Sequence, residues 1–279
     1  MSARIIGPVI FIFALLYICV LYLESVSIFF PSSELKRTPE DIGLEYESIV
    51  TGPLFEYAHG WYIKAPGAVN TVLMFHGNKG NISDCLEKIS ILTSLGFNVC
   101  IIDYTGYGSS PGKPSEKKLY KNALCAYEYL IEKRSVPEEN IIIYGISLGG
   151  AVAVDLASKV EAGALILENT FSSMRDMAHY YYPYIPSFMV SDRFNSYKII
   201  EEIKMPKLFF ATKEDKVVPY KLTEKLYDKA PGVKRMVTLE GDHNGAWMNS
   251  LVDYMDAIQK FLSDCASEGD NVKDTDSAI

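Results

Sequence analysis

The chain has 279 residues, 48% of them hydrophobic and 22% charged, which suits one large domain with a buried core and excludes a wholly disordered or fibrous protein. A formal net charge of -8 with no basic cluster excludes the electrostatic footprint of a nucleic-acid binder, because such a surface repels phosphates. The five cysteines, Cys19, Cys85, Cys100, Cys125 and Cys265, are odd in number and form no CxxC pair, so they read as packed free thiols, with neither a disulfide framework nor a metal site expected.

In chain order, the first element is Ile5 to Leu23, 19 residues without a charge. About 20 apolar residues cross a bilayer as a helix, so residues 1–30 are expected to form a transmembrane anchor, followed by a linker over 31–44. A cleaved signal peptide is the competing reading. Arg4 precedes the segment and Ser25-Val26-Ser27 offers small residues for cleavage, but an ordinary signal core is only about 7–15 residues long. Arg4 on one side nearly balances Lys36 and Arg37 on the other, and the orientation read is a short cytoplasmic N-terminus with the domain on the non-cytoplasmic side.

Residues 45–263 alternate short β-rich runs with helical patterns, the signature of an α/β domain whose mostly parallel sheet carries helices on both faces. EYESI and EYAHGWYIK, split by Thr51-Gly52-Pro53, read as an antiparallel opening pair. TVLMF (Thr71 to Phe75) is a strand, and a helix from about Ile82 places Leu86, Ile89, Leu92 and Leu95 on one face until Gly96 ends it. NVCII (Asn98 to Ile102) follows, then a helix capped by Ser115 with Leu119, Ala123, Tyr127 and Leu130 at helical spacing, then NIIIY (Asn140 to Tyr144). GALIL, PKLFFA and KRMVTL are the remaining strands. The insertion over 171–200, between GALIL and PKLFFA, reads as a cap, and the acidic, aperiodic 264–279 as a disordered tail.

Gly145-Ile146-Ser147-Leu148-Gly149 ends the NIIIY strand and opens a small-residue helix over Leu148 to Leu156. In that context Gly-x-Ser-x-Gly is the pattern of a strained strand-to-helix turn that exposes a serine hydroxyl above a sheet. A lone hydroxyl is a poor nucleophile at neutral pH and needs a base, itself oriented by a third group. Among four histidines, His59 falls in an early strand, His76 just precedes a glycine and His179 lies in the insertion. His243, in Gly241-Asp242-His243-Asn244 after the last strand, is therefore the candidate base. Asp215, after PKLFFA, is the candidate orienting acid because it gives the chain order Ser, Asp, His; Glu168, Glu214 and Asp242 are the rivals. Two backbone N–H groups are expected to meet the developing oxyanion, from Leu148 and from Asn78 in His76-Gly77-Asn78.

FHGNKGN, DYTGYGSSPGKPSE, YGISLGGAVA, LENTFSS, EDKVVP and GDHN, in that order, resemble the serine α/β-hydrolase superfamily, and within it the membrane-anchored alpha/beta-hydrolase domain proteins of the bud-emergence type. The resemblance covers about Glu45 to Leu262. It implies an α/β-hydrolase fold with an eight-stranded, mostly parallel sheet, and neither cofactor nor metal. It also implies that Asp103, Tyr107 and Gly108 are scaffolding beside the site. Substrate does not transfer, since the family is assigned to thioester, ester and lipid hydrolysis.

The expected function is therefore a membrane-anchored serine hydrolase that cleaves acyl esters or thioesters through Ser147, His243 and Asp215. The aromatic insertion, with Phe171, Tyr181, Tyr184 and Phe188, is read as binding the acyl part of a lipid-like substrate. A serine peptidase or amidase on the same triad, and a catalytically silent membrane-tethered binding protein, are the other readings. Oligomeric state is not legible.

Overall fold

The computed structural model describes residues 3–54 and 56–276. A first helix, α1 (Ala3–Ser27), is followed almost at once by a two-residue strand, β1 (Phe30–Pro31). β2 (Tyr46–Thr51) and β3 (Ala58–Ile63) form the expected antiparallel pair. β4 (Thr71–Phe75) leads into a two-residue β5 (Lys79–Gly80), then α2 (Leu86–Ser94) and β6 (Asn98–Ile102). α3 (Glu116–Arg134), β7 (Ile141–Ile146), α4 (Leu148–Ala157) and β8 (Ala164–Glu168) come next. The insertion carries α5 (Met174–Tyr181) and α6 (Ser196–Ile199). β9 (Lys207–Thr212), α7 (Tyr220–Lys229), β10 (Lys234–Leu239), α8 (Ala246–Asn249) and α9 (Leu251–Asp276) complete the described chain.

Eight strands form one sheet in the order β10-β9-β8-β7-β4-β6-β3-β2. From β10 to β6 every pairing is parallel, and the two antiparallel pairings, β6 with β3 and β3 with β2, lie at one edge, so that β3 alone is reversed. The chain leaves β4 for β6 on one side and returns to β7 on the other, so β4 is the switch point at whose carboxyl end a crevice opens.

Both faces of the sheet are buried, and the strands alternate between two cores with period two. Leu73, Phe75, Ile143, Leu165, Leu167 and Phe209 face one core with α3 and α4. Val72, Met74, Ile142, Tyr144, Ile166, Leu208 and Phe210 face the other with α2 and α9. This explains why the central strands read as unbroken apolar runs rather than as alternating ones.

Three local readings differ from what the structure shows. Ser115 occupies the N-cap position of α3, but its side chain makes no capping hydrogen bond. The neighbouring Glu116 carboxylate accepts instead from Tyr120 Oη and from the Phe194 amide of the insertion. The segment 31–44, read as a linker, lies on the domain: Pro39 is buried, and Leu35, Ile42 and Leu44 pack on the α2/α9 core. α9 runs on to Asp276 through the stretch read as a disordered tail; Asp264 there pairs with Arg235 at 2.8 Å, and residues 277–279 lie outside the described residues.

The anchor reading of Ile5 to Leu23 falls on α1, several of whose side chains are outside the described residues. Among the described residues no helix is long and apolar enough to cross a membrane. Ile10, Phe11, Ile12, Leu15 and Ile18 on α1 are exposed.

α4 lies against the sheet with Gly149 of its first turn facing the backbone of β4. A Cβ at Gly149 would lie 2.1 Å from the Phe75 carbonyl oxygen and 2.6 Å from that of His76, both backbone atoms that cannot give way. Gly149→Ala is accordingly expected to cost about 1–3 kcal/mol or more in urea unfolding, an overpacking penalty despite the better helix propensity of alanine. A neutral or stabilising effect would contradict this packing.

Candidate active site

Ser147 stands between β7 and α4 with φ 53° and ψ -118°, a conformation that L side chains rarely adopt. The surroundings hold it there. Its N–H donates to the Glu168 carbonyl at 2.8 Å, and its own carbonyl accepts from Gly150 N–H at 3.0 Å and from Thr170 Oγ1 at 2.8 Å. The flanking glycines are sterically required: a Cβ at Gly145 would meet Gly149 O at 2.3 Å, and one at Gly150 would meet Thr170 Oγ1 at 2.2 Å.

The candidate base and the candidate acid are in contact. His243 Nδ1 is 2.6 Å from Asp215 Oδ2, and the Asp215 side chain is only 1% exposed. The other carboxylate oxygen accepts from the Val217 and Val218 amides, each at 2.7 Å, so both oxygens are committed. From the far side, Asn169 Nδ2 donates to the His243 carbonyl at 3.0 Å. Asn169 itself has a positive φ of 45° and follows β8 directly.

The rival acids are engaged elsewhere. Asp242 Oδ1 closes its own turn by accepting from the Asn244 and Gly245 amides at 3.1 and 2.7 Å. Glu168 forms an ion pair with Lys88 and accepts from Tyr144 Oη. Glu214 is exposed.

Ser147 and His243 line a single cavity of about 960 Å³, together with His76, Gly77 and Asn78 from the loop after β4. Leu148 is the first residue of α4, where amides have no intrahelical partner and the helix dipole is positive. The loop after β4 is braced by two tyrosines of the DYTGYG stretch. Tyr104 Oη donates to the His76 carbonyl and Tyr107 Oη to that of Asn78, each at 2.8 Å. Asp103, fully buried, accepts from the Ile82 amide at 3.0 Å and packs against Gly108, where a Cβ would fall 1.9 Å from its Oδ2. Burial pulls the His76 imidazole below its ordinary pKa and raises the Tyr104 hydroxyl well above its own.

His59 comes nearer than its place in an early strand suggests. Because β3 runs antiparallel to β6, its first residues lie beside the carboxyl end of β6, and His59 Nδ1 is 3.8 Å from Asp103 Oδ2. It does not line the cavity. His179 is exposed on α5.

The four aromatic residues expected to bind substrate are not brought together. Phe171 is 2% exposed and packs in the α3/α4 core. Tyr181 Oη donates to the Lys216 and Val217 carbonyls at 2.7 and 3.1 Å. Tyr184 and Phe188 are 77% and 78% exposed, and none of the four lines the cavity that holds Ser147. Its apolar lining comes instead from Phe30, Pro31, Ile146, Val217 and Trp247, and Lys88 and Glu168 are among its polar lining.

The pair of Lys88 and Glu168 is the part of the lining that sequence reasoning missed. Lys88 from α2 reaches Glu168 at the end of β8, Tyr144 Oη bridges Glu168 to Tyr254 Oη at 2.6 Å, and the Lys88 ammonium sits 4.8 Å from the Trp247 ring centroid. Burial pulls the Lys88 ammonium down from its usual pKa and raises both tyrosines; the nearby Cys85 thiol is pushed up to about 12 by burial. In the sequence Lys88 and Glu87 look like the solvated face of an amphipathic helix, and no spacing signals that the lysine turns inward.

A switch-point sheet with a serine at a strained turn after β7, a carboxylate after β9 and an imidazole after β10 is the arrangement of an α/β-hydrolase fold. Residues 67–193 match the family described as serine aminopeptidase, S33. The chain is 38% identical over 199 residues to protein bem46 of Schizosaccharomyces pombe, covering 67% of each protein. It is 32% identical over 255 residues to the alpha/beta hydrolase domain-containing protein WAV2 of Arabidopsis thaliana, covering 83% of each. The chain therefore belongs to the alpha/beta-hydrolase family that includes bem46 and WAV2. The solved Pyrococcus furiosus esterase Pf2001 has the same fold, with a TM-score of 0.70 at 19% identity over 85% of this chain and 97% of that one.

Replacing Lys88 with Met would leave the Glu168 carboxylate buried without its counter-ion. Lys88→Met is expected to lose about 3–5 kcal/mol of unfolding free energy in urea, and Lys88→Met/Glu168→Gln to regain most of it. A single-variant loss below about 1 kcal/mol would show that the pair is not desolvated as described.

Proposed function

We propose that the protein is a membrane-anchored serine hydrolase that cleaves acyl ester or thioester bonds. The observation that carries this reading is the Asp215-held imidazole of His243 lining the same cavity as Ser147. In the proposed reaction Ser147 Oγ attacks the acyl carbonyl while His243 Nε2 takes its proton. Asp215 keeps Nδ1 protonated and stabilises the imidazolium. The Leu148 and Asn78 N–H groups receive the negative charge on the former carbonyl oxygen. His243 then returns the proton to the departing alcohol or thiol, and a water deprotonated by the same imidazole releases the acid from Ser147.

The apolar walls from Phe30, Ile146, Val217 and Trp247 support an acyl substituent. The exposed apolar side chains of α1 and the uncharged stretch around them support anchoring in a bilayer, with the domain on the non-cytoplasmic side and lipid-like substrates taken from the membrane. Amide cleavage is the second reading, favoured by the description of the matching family as a serine aminopeptidase.

Turnover of p-nitrophenyl butyrate tests the reading. Ser147→Ala and His243→Ala are each expected to lower kcat by about 10³-fold or more, and Asp215→Asn by about 10²–10⁴-fold, with circular-dichroism melting unchanged. Undiminished turnover by folded Ser147→Ala would sink the assignment. A panel of acyl esters, acyl thioesters and aminoacyl amides separates the two chemistries.

A further inference from the structure

The nine residues that follow α1 are bonded to the loop that carries Asn78. Asn78 Nδ2 donates to the Ile28 carbonyl at 3.0 Å, and Phe30 N–H donates to the Asn78 carbonyl at 2.9 Å. β1 and β5 then pair in parallel, with Phe30 opposite Lys79 and Pro31 opposite Gly80, and Ser32 N–H donates to the Gly80 carbonyl at 3.0 Å. Asn81 Nδ2 closes the run by donating to the Ser32 and Glu34 carbonyls at 3.1 and 2.6 Å. Ile28 is 4% exposed and anchored in the α3/α4 core. Phe30, Pro31, Ser32 and Lys36 also form one wall of the cavity that holds Ser147.

These contacts fall on the part of the loop whose orientation matters. The direction of the Asn78 N–H depends on the torsions of Gly77 and Asn78, and Gly77 has no Cβ to restrict them. Oxyanion stabilisation requires a donor already aimed before charge develops, and a misplacement of about 1 Å can cost on the order of 10²-fold in rate. Tyr107 fixes only the Asn78 carbonyl. The segment after α1 grips that same carbonyl and the Asn78 side chain together, which leaves the residue little freedom to turn.

We infer that residues 28–36 are a positioning strap: they hold the Asn78 amide in its oxyanion-binding orientation and complete the cavity wall, so that hydrolysis requires the strap to be docked. The inference rests on the hydrolase reading above. Because the strap begins where α1 ends, the N-terminal helix and the oxyanion loop share one short continuous segment.

The test uses full-length protein and p-nitrophenyl acetate, a substrate too small to need the wall. Asn81→Asp keeps the acceptor that caps Ser83 but sets a carboxylate against two carbonyls; Phe30→Pro removes the N–H that reaches Asn78; Ser33→Ala changes only an exposed side chain of the same segment, outside the cavity lining. The strap predicts a fall of about tenfold or more in kcat for Asn81→Asp and Phe30→Pro, with KM within about threefold, while Ser33→Ala keeps kcat. Ser32→Pro, which deletes one ladder donor, replaces any variant that loses its near-ultraviolet circular dichroism. Folded donor-removing variants with wild-type kcat would overturn the strap. If the wild type itself shows no turnover that depends on Ser147, it is the hydrolase reading that has failed.

Discussion

The backbone at Ser147 is the constraint on which the rest of the site depends. A serine at φ 53° is unfavourable by itself, on the order of 1–3 kcal/mol, and persists only where neighbours over-determine it. Here they do so from three directions: β8 through the Glu168 carbonyl, the short stretch between β8 and the insertion through Thr170, and β4 through its contact with Gly149. Each of these contacts also places another part of the site. The residue after Glu168 is Asn169, which holds the His243 loop, and the residues after Phe75 are the His76-Gly77-Asn78 loop itself. The strained turn and its partners are thus one unit, which is why the glycines around it cannot be exchanged singly.

Around that unit two buried carboxylates, Asp215 and Glu168, are each held by specific partners. The Asp215 side chain is almost inaccessible, yet each of its oxygens has a partner, two amides on one and an imidazole on the other. On the same cavity lining Lys88 and Glu168 neutralise one another beside Trp247, with Tyr144 and Tyr254 extending the network of hydroxyls into the α2/α9 core. An ion pair so enclosed contributes little net stability compared with apolar side chains of the same size. Its effect is on polarity: it puts a buried, mutually compensated pair of charges on the lining of the cavity that holds Ser147.

The sequence made the frame of the fold legible because its signals are local. KRMVTL and TVLMF correspond to β10 and β4 residue for residue, and the Ser, Asp, His order leads to the 2.6 Å pair of His243 and Asp215. What stayed hidden is long-range. β1 and β5 have two residues each, too few for any periodicity, so the segment after α1 reads as a linker although it lies against the site. Lys88 and Glu168 are 80 positions apart, and nothing in either neighbourhood marks them as partners. The aromatic insertion shows a third limit: composition reveals that Phe171, Tyr181, Tyr184 and Phe188 are apolar or amphipathic, but not that one is core, one braces the loop after Asp215 and two face outward.

The central claim is that the Ser147 hydroxyl is made nucleophilic by the imidazole of His243. Mass spectrometry after brief exposure to a fluorophosphonate tests it most directly, because the reagent stays on the attacking oxygen. The account predicts a single adduct, mapped to the peptide that contains Ser147, forming at least about 100-fold more slowly in His243→Ala. An adduct on a different residue, or an unchanged rate in folded His243→Ala, would contradict it.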